Sequence, residues 1–412
     1  MDTLGDNMRE YLKTHPWITF DIPTAEARPV FWMLLARAQA KVEDISRAPL
    51  YPDTAKELAK ISLARGVLAT TAIEGNTLTE DEVIAELDGK SNLPPSRAYL
   101  GTEVRNVVRA INQVGLPLLE RGDDKFSTDL LCQYNAMVLQ NLELREDVVP
   151  GVVRKHLVRV GDYIGAPSED LPFLLDRYCD WLNSRFDPPP EQKAYQLAFG
   201  LLRAIAAHLY FAWIHPFADG NGRTARLIEF HCMLAAGVPH HAAHLLSNFY
   251  NQTRSKYYLR LDRSSKSGVD GVLEFFEYAL EGFCDSLDLH LETIYGEQLR
   301  STWRSYALDS LYEKGGEVGE RLRKLVTDLA DHCFSTDMTP VPLKELSSVS
   351  PRVLGLYNGR TPKTIRRDVN QLIRLGLVQQ HEGGYTPNLQ TMQSLLPARR
   401  VLIEDKNVEF IG

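Results

Sequence analysis

His215-Pro216-Phe217-Ala218-Asp219-Gly220-Asn221-Gly222-Arg223-Thr224-Ala225-Arg226 decides how this chain is read. A strongly apolar stretch over residues 191–213 runs directly into it, and Leu227, Ile228, Met233 and Leu234 continue at helical spacing up to Gly237-Val238-Pro239. The string is therefore predicted to be a tight link between two helices, with Gly220 and Gly222 at the start of the second. Glycines at a helix start let the backbone approach an anion, and the unpaired N–H groups of the first turn present the positive end of the helix dipole. Arg223 and Arg226 leave one side of that helix and supply further grip on phosphate oxygens. Asp219 suits Mg²⁺, which takes one or two carboxylates together with substrate phosphates. His215 is a usable base near neutral pH. Each residue alone is ordinarily structural; the combination within one short string points to phosphoryl or nucleotidyl transfer.

Outward from this string, helical spacing dominates and long alternating runs are few, which predicts a mainly α fold. Residues 29–45 and 54–70 read as amphipathic helices of an N-terminal region spanning 1–125. Residues 173–186 carry Leu174, Leu175, Tyr178, Trp181 and Leu182 on one helical face. Just before them, residues 152–160 alternate partly between apolar and basic, and Gly161-Asp162 reads as the turn of a small β-hairpin. The expected division is an N-terminal helical region, a catalytic core at 126–290, a helical connector at 291–330, a C-terminal domain at 331–395 and a tail at 396–412.

Length and composition bound the class. A chain of 412 residues with 44% hydrophobic and 24% charged residues suits a globular protein of two or three domains. No apolar run of bilayer length is read in it. Met1-Asp2-Thr3-Leu4-Gly5-Asp6 lacks a secretory pattern, so the expectation is a cytoplasmic protein without membrane partners. The five cysteines are widely spaced and read as buried thiols rather than a metal or redox site. A net charge of −8 argues against a nucleic-acid coat.

The motif resembles the signature of the Fic (filamentation induced by cAMP) family, His-x-Phe-x-Asp/Glu-Gly-Asn-Gly-Arg-x-x-Arg, and matches every fixed position. The resemblance implies an all-α core that transfers AMP from ATP to a Ser, Thr or Tyr hydroxyl of a target protein, or of the enzyme itself. It assigns His215 as the general base, Phe217 as the apolar anchor of the loop and Asp219 as the Mg²⁺ ligand. Gly220, Asn221 and Gly222 would form the anion hole, Arg223 a β-phosphate contact and Arg226 the γ-phosphate contact. It also implies a flap, here residues 152–166, that holds the target by strand addition. Tyr257 and Tyr258 are candidates for the adenine side, or else core.

A second stretch, Thr70-Thr71-Ala72-Ile73-Glu74-Gly75-Asn76, resembles the inhibitory motif Ser/Thr-x-x-x-Glu-Gly/Asn of family members that carry an N-terminal brake. By this resemblance Glu74 pairs with Arg226 and blocks the γ-phosphate position. Relatives often form dimers through which inhibition is tuned, so a homodimer is an expectation.

Between Pro342 and Arg400 stand nine Lys/Arg against three acids. Thr361-Pro362 marks a helix start, Ile365, Val369, Leu372 and Ile373 form its apolar face, and a hairpin with a Glu382-Gly383-Gly384 turn follows. Taking residues 343–349 as a middle helix gives the pattern of a winged helix-turn-helix, with Lys363, Arg366 and Arg367 exposed on its recognition helix. DNA binding, as a regulator of its own operon with the Fic core as sensor, is therefore the alternative to a regulated adenylyltransferase. Within enzymes, another nucleotide donor or removal of AMP are further alternatives.

Overall fold

Proline opens the two long N-terminal helices, where its fixed φ suits the first turn and its missing N–H costs no bond. The computed structural model describes residues 9–121 and 124–393. After one turn, α1 (Tyr11–Thr14), come α2 (Pro29–Arg47) and α3 (Pro52–Ala72). On α2, Phe31, Leu35, Ala38, Val42 and Ile45 are buried, the stripe that a period of 3.6 residues lays along one side. α4 (Glu80–Leu87) starts at a capping box: Glu82 N–H donates to Thr79 Oγ1 at 3.3 Å and Thr79 N–H to Glu82 Oε2 at 2.9 Å. α5 (Ala98–Arg121) and α6 (Thr128–Val138) follow, the latter capped by Ser127.

A two-stranded hairpin, β1 (Arg159–Val160) and β2 (Tyr163–Ile164), pairs antiparallel around Gly161-Asp162 as the alternation predicts. Next come α7 (Leu171–Ser184), α8 (Gln196–Ile214), α9 (Asn221–Ala235), α10 (Leu245–Gln252), α11 (Arg254–Lys266) and α12 (Gly268–Ser310). α2, α7 and α9 all pack on α8. Being enclosed, α8 is apolar on every side. This corrects the composition reading: Lys193–Ile214 does reach bilayer length, with mean hydropathy 1.6, yet 78% of that window is buried inside the protein.

The chain divides into two units, Met1–Glu292 and Thr293–Gly412. In the second, α13 (Gly316–Ser335), α14 (Pro351–Tyr357) and α15 (Pro362–Arg374) are followed by the antiparallel pair β3 (Val378–His381) and β4 (Gly384–Pro387). Two expectations are corrected here. Residues 291–330 are no separate connector, because Trp303, Leu322, Leu325 and Leu329 share one core with Leu346, Val353, Val369, Leu372 and Val378. The middle helix lies at Pro351–Tyr357 rather than 343–349, where only a short 3₁₀ turn at Leu346–Ser348 forms. Ser350 caps it, its Oγ accepting from Val353 N–H at 3.1 Å, with proline at the first helical position. Arg321 and Asp368 form a buried ion pair at 3.0 Å, and Tyr357 donates to the same carboxylate at 3.0 Å. The expected tail at 396–412, Arg399, Arg400 and the stretch from Met1 to Asp6 lie outside the described residues.

Candidate active site

α8 stops at His215, whose backbone is left-handed at φ 51°. Gly220, with φ 76°, turns the chain again so that α9 starts at Asn221. A Cβ at Gly220 would stand 2.9 Å from Asn135 Nδ2, so both conformation and space call for glycine. Between the two turns the loop is clipped shut. Phe217 N–H donates to Asn221 Oδ1 at 2.9 Å and Asn221 Nδ2 to Phe217 O at 2.8 Å, while the Phe217 ring is buried beside Phe211. The Asn221 side chain thus holds the loop, leaving its backbone, with those of Gly220 and Gly222, at the cavity wall.

Three residues that the motif does not contain fix this loop. Asn135, fully buried on α6, donates to Asp219 O at 2.9 Å and accepts from Gly151 N–H at 2.9 Å. Arg154, also buried, donates from Nε to His215 O at 2.8 Å, from Nη1 to His156 O at 2.7 Å and from Nη2 to Ala166 O at 2.6 Å. Its own N–H reaches Pro216 O at 3.0 Å, and Val153 bridges Phe217, so the segment leading to the hairpin is stitched to the motif. Glu103 on α5 accepts from Arg223 at 3.3 Å. Asn135→Ala should strand a buried N–H and a carbonyl, lowering stability by about 2–4 kcal/mol. Denaturant unfolding measures this, and a loss below about 0.5 kcal/mol would mean that the clamp is not closed.

A cavity of about 700 Å³ opens over the loop. His215, Asp219, Gly220, Asn221, Gly222, Arg226, Tyr257 and Tyr258 line it, together with Glu74, Arg145 and hairpin residues 158–163. Arg223 does not. Its guanidinium is buried against Glu103 and lies 3.5 Å from Asp219 Oδ1. A second cavity of about 680 Å³, beside Trp32, Tyr195 and Phe199, contains none of the motif.

His215 Nδ1 lies 3.3 Å from Ala212 O. With the proton on Nδ1 to serve that carbonyl, the lone pair falls on Nε2. Burial pushes the imidazole down to about 4, against the raising influence of Ala212 O, Glu74 and Asp219, so the ring is neutral near pH 7.

Arg226, buried on α9, is bound wholly to the end of α3. Its Nε donates to Thr70 Oγ1 at 3.1 Å, and its Nη2 to Thr70 O at 3.0 Å and to Glu74 Oε1 at 2.5 Å. Burial opposes ionisation of Glu74, but Arg226, Arg223 and His215 together hold its carboxyl below the usual range. A Cβ on Gly222 would collide with Glu74 Oε1, so the carboxylate rests directly over the first turn of α9. Tyr257 is buried, stacks on Tyr250 and bonds His208 Nε2 through its hydroxyl at 2.8 Å. Tyr258 is 42% exposed at the cavity rim.

Among the described residues no three His, Cys, Asp or Glu side chains gather as a metal cluster. The Asp219 carboxylate, 47% exposed at the cavity, is one oxygen donor group. That suits a hard cation that completes its shell with phosphates and water.

The family model described as Fic/DOC matches residues 125–233. The chain is 28% identical over 240 residues to the protein adenylyltransferase Fic of Nematostella vectensis, covering 58% of this chain and 52% of that protein. It is 31% identical over 199 residues to the protein adenylyltransferase fic-1 of Caenorhabditis elegans, covering 47% and 35%. The chain thus spans about half the length, or less, of these curated relatives. Among solved structures, a Fic family protein from Desulfovibrio desulfuricans superposes with a TM-score of 0.52 at 21% identity, over 86% of this chain and 92% of that one. Fic-1 from C. elegans (aa134–508) gives 0.52 at 22% identity, over 65% and 73%. At these identities the likeness is one of fold. The family match covers the segment that holds the His215–Arg226 loop, and residues 125–233 are accordingly a Fic domain.

Proposed function

We propose that this protein transfers AMP from ATP to a hydroxyl of a target protein, and that Glu74 holds it inhibited. The observation that carries this reading is the seat of Glu74. A carboxylate over the first turn of α9, paired with buried Arg226, marks that place as one built for an anion. Neutral His215 lines the same cavity. In the proposed reaction His215 Nε2 takes the hydroxyl proton as the oxygen attacks the α-phosphorus, and pyrophosphate leaves. The backbone of Gly220–Gly222 and the dipole of α9 stabilise the charge on the transferring group. Arg226, once released from Glu74, grips the terminal phosphate, and Arg223 turns from Asp219 toward the middle one. Asp219 would hold Mg²⁺, which when bound neutralises charge on the phosphates. Hairpin residues 158–163 line the cavity and would align the target segment, with Tyr258 on the base side. The names of the curated relatives support the same activity.

Mass spectrometry of the protein itself and of lysate proteins, after incubation of the Glu74→Gly variant with ATP, tests this. Addition of AMP to Ser, Thr or Tyr supports it. Addition of another group, or removal of AMP from modified proteins, would replace it with another Fic chemistry.

A second reading concerns the C-terminal unit. Three helices and a hairpin with a basic recognition helix support a winged helix-turn-helix that binds DNA. Lys344, Arg360, Lys363 and Arg366 surround a cavity of about 670 Å³ at the start of α15, where cations and free N–H groups suit phosphates. The full-length protein is expected to retard a fragment of its own promoter, and the double variant Arg366→Glu, Arg367→Glu to lose at least about tenfold in affinity. Equal retardation by both proteins would remove this reading.

A further inference from the structure

The last carbonyls of a helix have no partner within it, and those of α3 lead directly to Glu74. Glu74 N–H turns back to Thr71 O at 3.1 Å and Gly75 N–H to Ala72 O at 2.9 Å, and Gly75 leaves the helix at φ 105°. Two carbonyls just before Glu74 are taken from outside, both by α11. Arg254 Nη1 donates to Ala72 O at 3.2 Å, and Tyr258 Oη donates to Ile73 O at 3.3 Å. The Arg254 guanidinium lies 5.9 Å from the Tyr258 ring, so the two donors stand side by side. A cation here also meets the negative end of the α3 dipole.

Both donors are exposed. Their bonds are easily exchanged with water, unlike the three that hold buried Arg226. Tyr258 moreover faces the cavity while it holds Ile73. We propose that Arg254 and Tyr258 are a latch on the inhibitory helix end: α11 sets how firmly Glu74 is presented to Arg226. Inhibition then rests on two contacts with different properties, an ion pair on buried Arg226 that blocks the site and an exposed clasp that keeps the blocking residue in register. The proposal depends on Glu74 being inhibitory.

The test compares transfer of AMP to the protein itself by wild type, Arg254→Ala, Glu74→Gly and the double variant. Loss of the clasp is expected to raise transfer by about threefold to tenfold, and to add nothing in the Glu74→Gly background. Hydrogen exchange in the inactive His215→Ala background gives an independent reading: Arg254→Ala should speed exchange of the Glu74, Gly75 and Asn76 amides and leave those of α9 unchanged, whereas Arg254→Lys should largely preserve protection. Unchanged transfer and exchange in Arg254→Ala, with Glu74→Gly active, would overturn the latch alone. An equal rise with and without Glu74 would also overturn it, since Arg254 would then act on the site directly. Failure of Glu74→Gly to raise transfer would instead remove the inhibitory reading beneath it.

Discussion

His215→Ala is expected to lower AMP transfer by about 10²–10⁴-fold, the range ascribed to a positioned general base. The comparison is made in the Glu74→Gly background, where there is activity to lose. ATP affinity, read by calorimetry, should change less than about threefold, because in the proposed reaction the imidazole meets the hydroxyl rather than the phosphates. A pH series sharpens the assignment. Burial holds His215 near 4 instead of 6.5, so the group is already deprotonated in the free enzyme across the neutral range. The acid limb of kcat/KM, which reports the free enzyme, should therefore lie well below pH 6.5. A limb at the ordinary histidine value, or a variant as active as its parent, would remove His215 as the base. The same depression bears on folding. An imidazole that stays neutral when folded binds fewer protons than when unfolded, so its contribution to stability is full above about pH 6.5 and is lost as pH falls toward 4.

Glu74→Gly is expected to raise transfer by about tenfold to 100-fold, on the scale of a hydrogen bond to a charged group at about 1.5–3 kcal/mol. The carboxylate is the acceptor that Arg226 would have to exchange for phosphate oxygen. Its removal leaves Arg226 bonded only to Thr70, with its charge buried and uncompensated. The variant should therefore melt a few degrees lower than wild type. ATP should restore part of that loss, since its phosphates replace the missing anion. A variant that is neither more active nor less stable would show that the Glu74–Arg226 pair does not control the site.

The catalytic loop was legible because its chemistry is local. Two turns, an anion cradle, a base and an acid lie within twelve residues, and the apolar runs on either side announce the helices that carry them. Its clamps were not. Asn135 lies 84 residues from the Asp219 carbonyl it holds, and Arg154 lies 61 from His215. Each sits in a segment whose pattern is that of an ordinary helix or hairpin, and nothing in such a pattern marks a polar residue as the support of a distant loop. Arg223 shows the converse. Its place in the motif is plain in the sequence, whereas Glu103 on α5, which pairs with its guanidinium, is invisible to local reading. In the C-terminal unit, Leu343, Leu346 and Val349 imitate a helical stripe, whereas Ser350-Pro351 is the true start signal: a hydroxyl cap followed by proline. Thr70 lies in the same short stretch of sequence as Glu74, yet only the fold reveals that its hydroxyl and carbonyl both bind Arg226.

The reciprocal bonds between Asn221 and the Phe217 backbone have one more consequence. Together with the Asn135 clamp they order the loop without a nucleotide, so on the proposed reading the restrained protein is already a finished catalyst under a cover. On that reading, switching it on asks that two guanidiniums, Arg226 and Arg223, change partners, a rearrangement of side chains and a helix tip rather than a rebuilding of the fold. Such a device can respond on the microsecond timescale of local motions and return to rest as soon as its trigger is withdrawn.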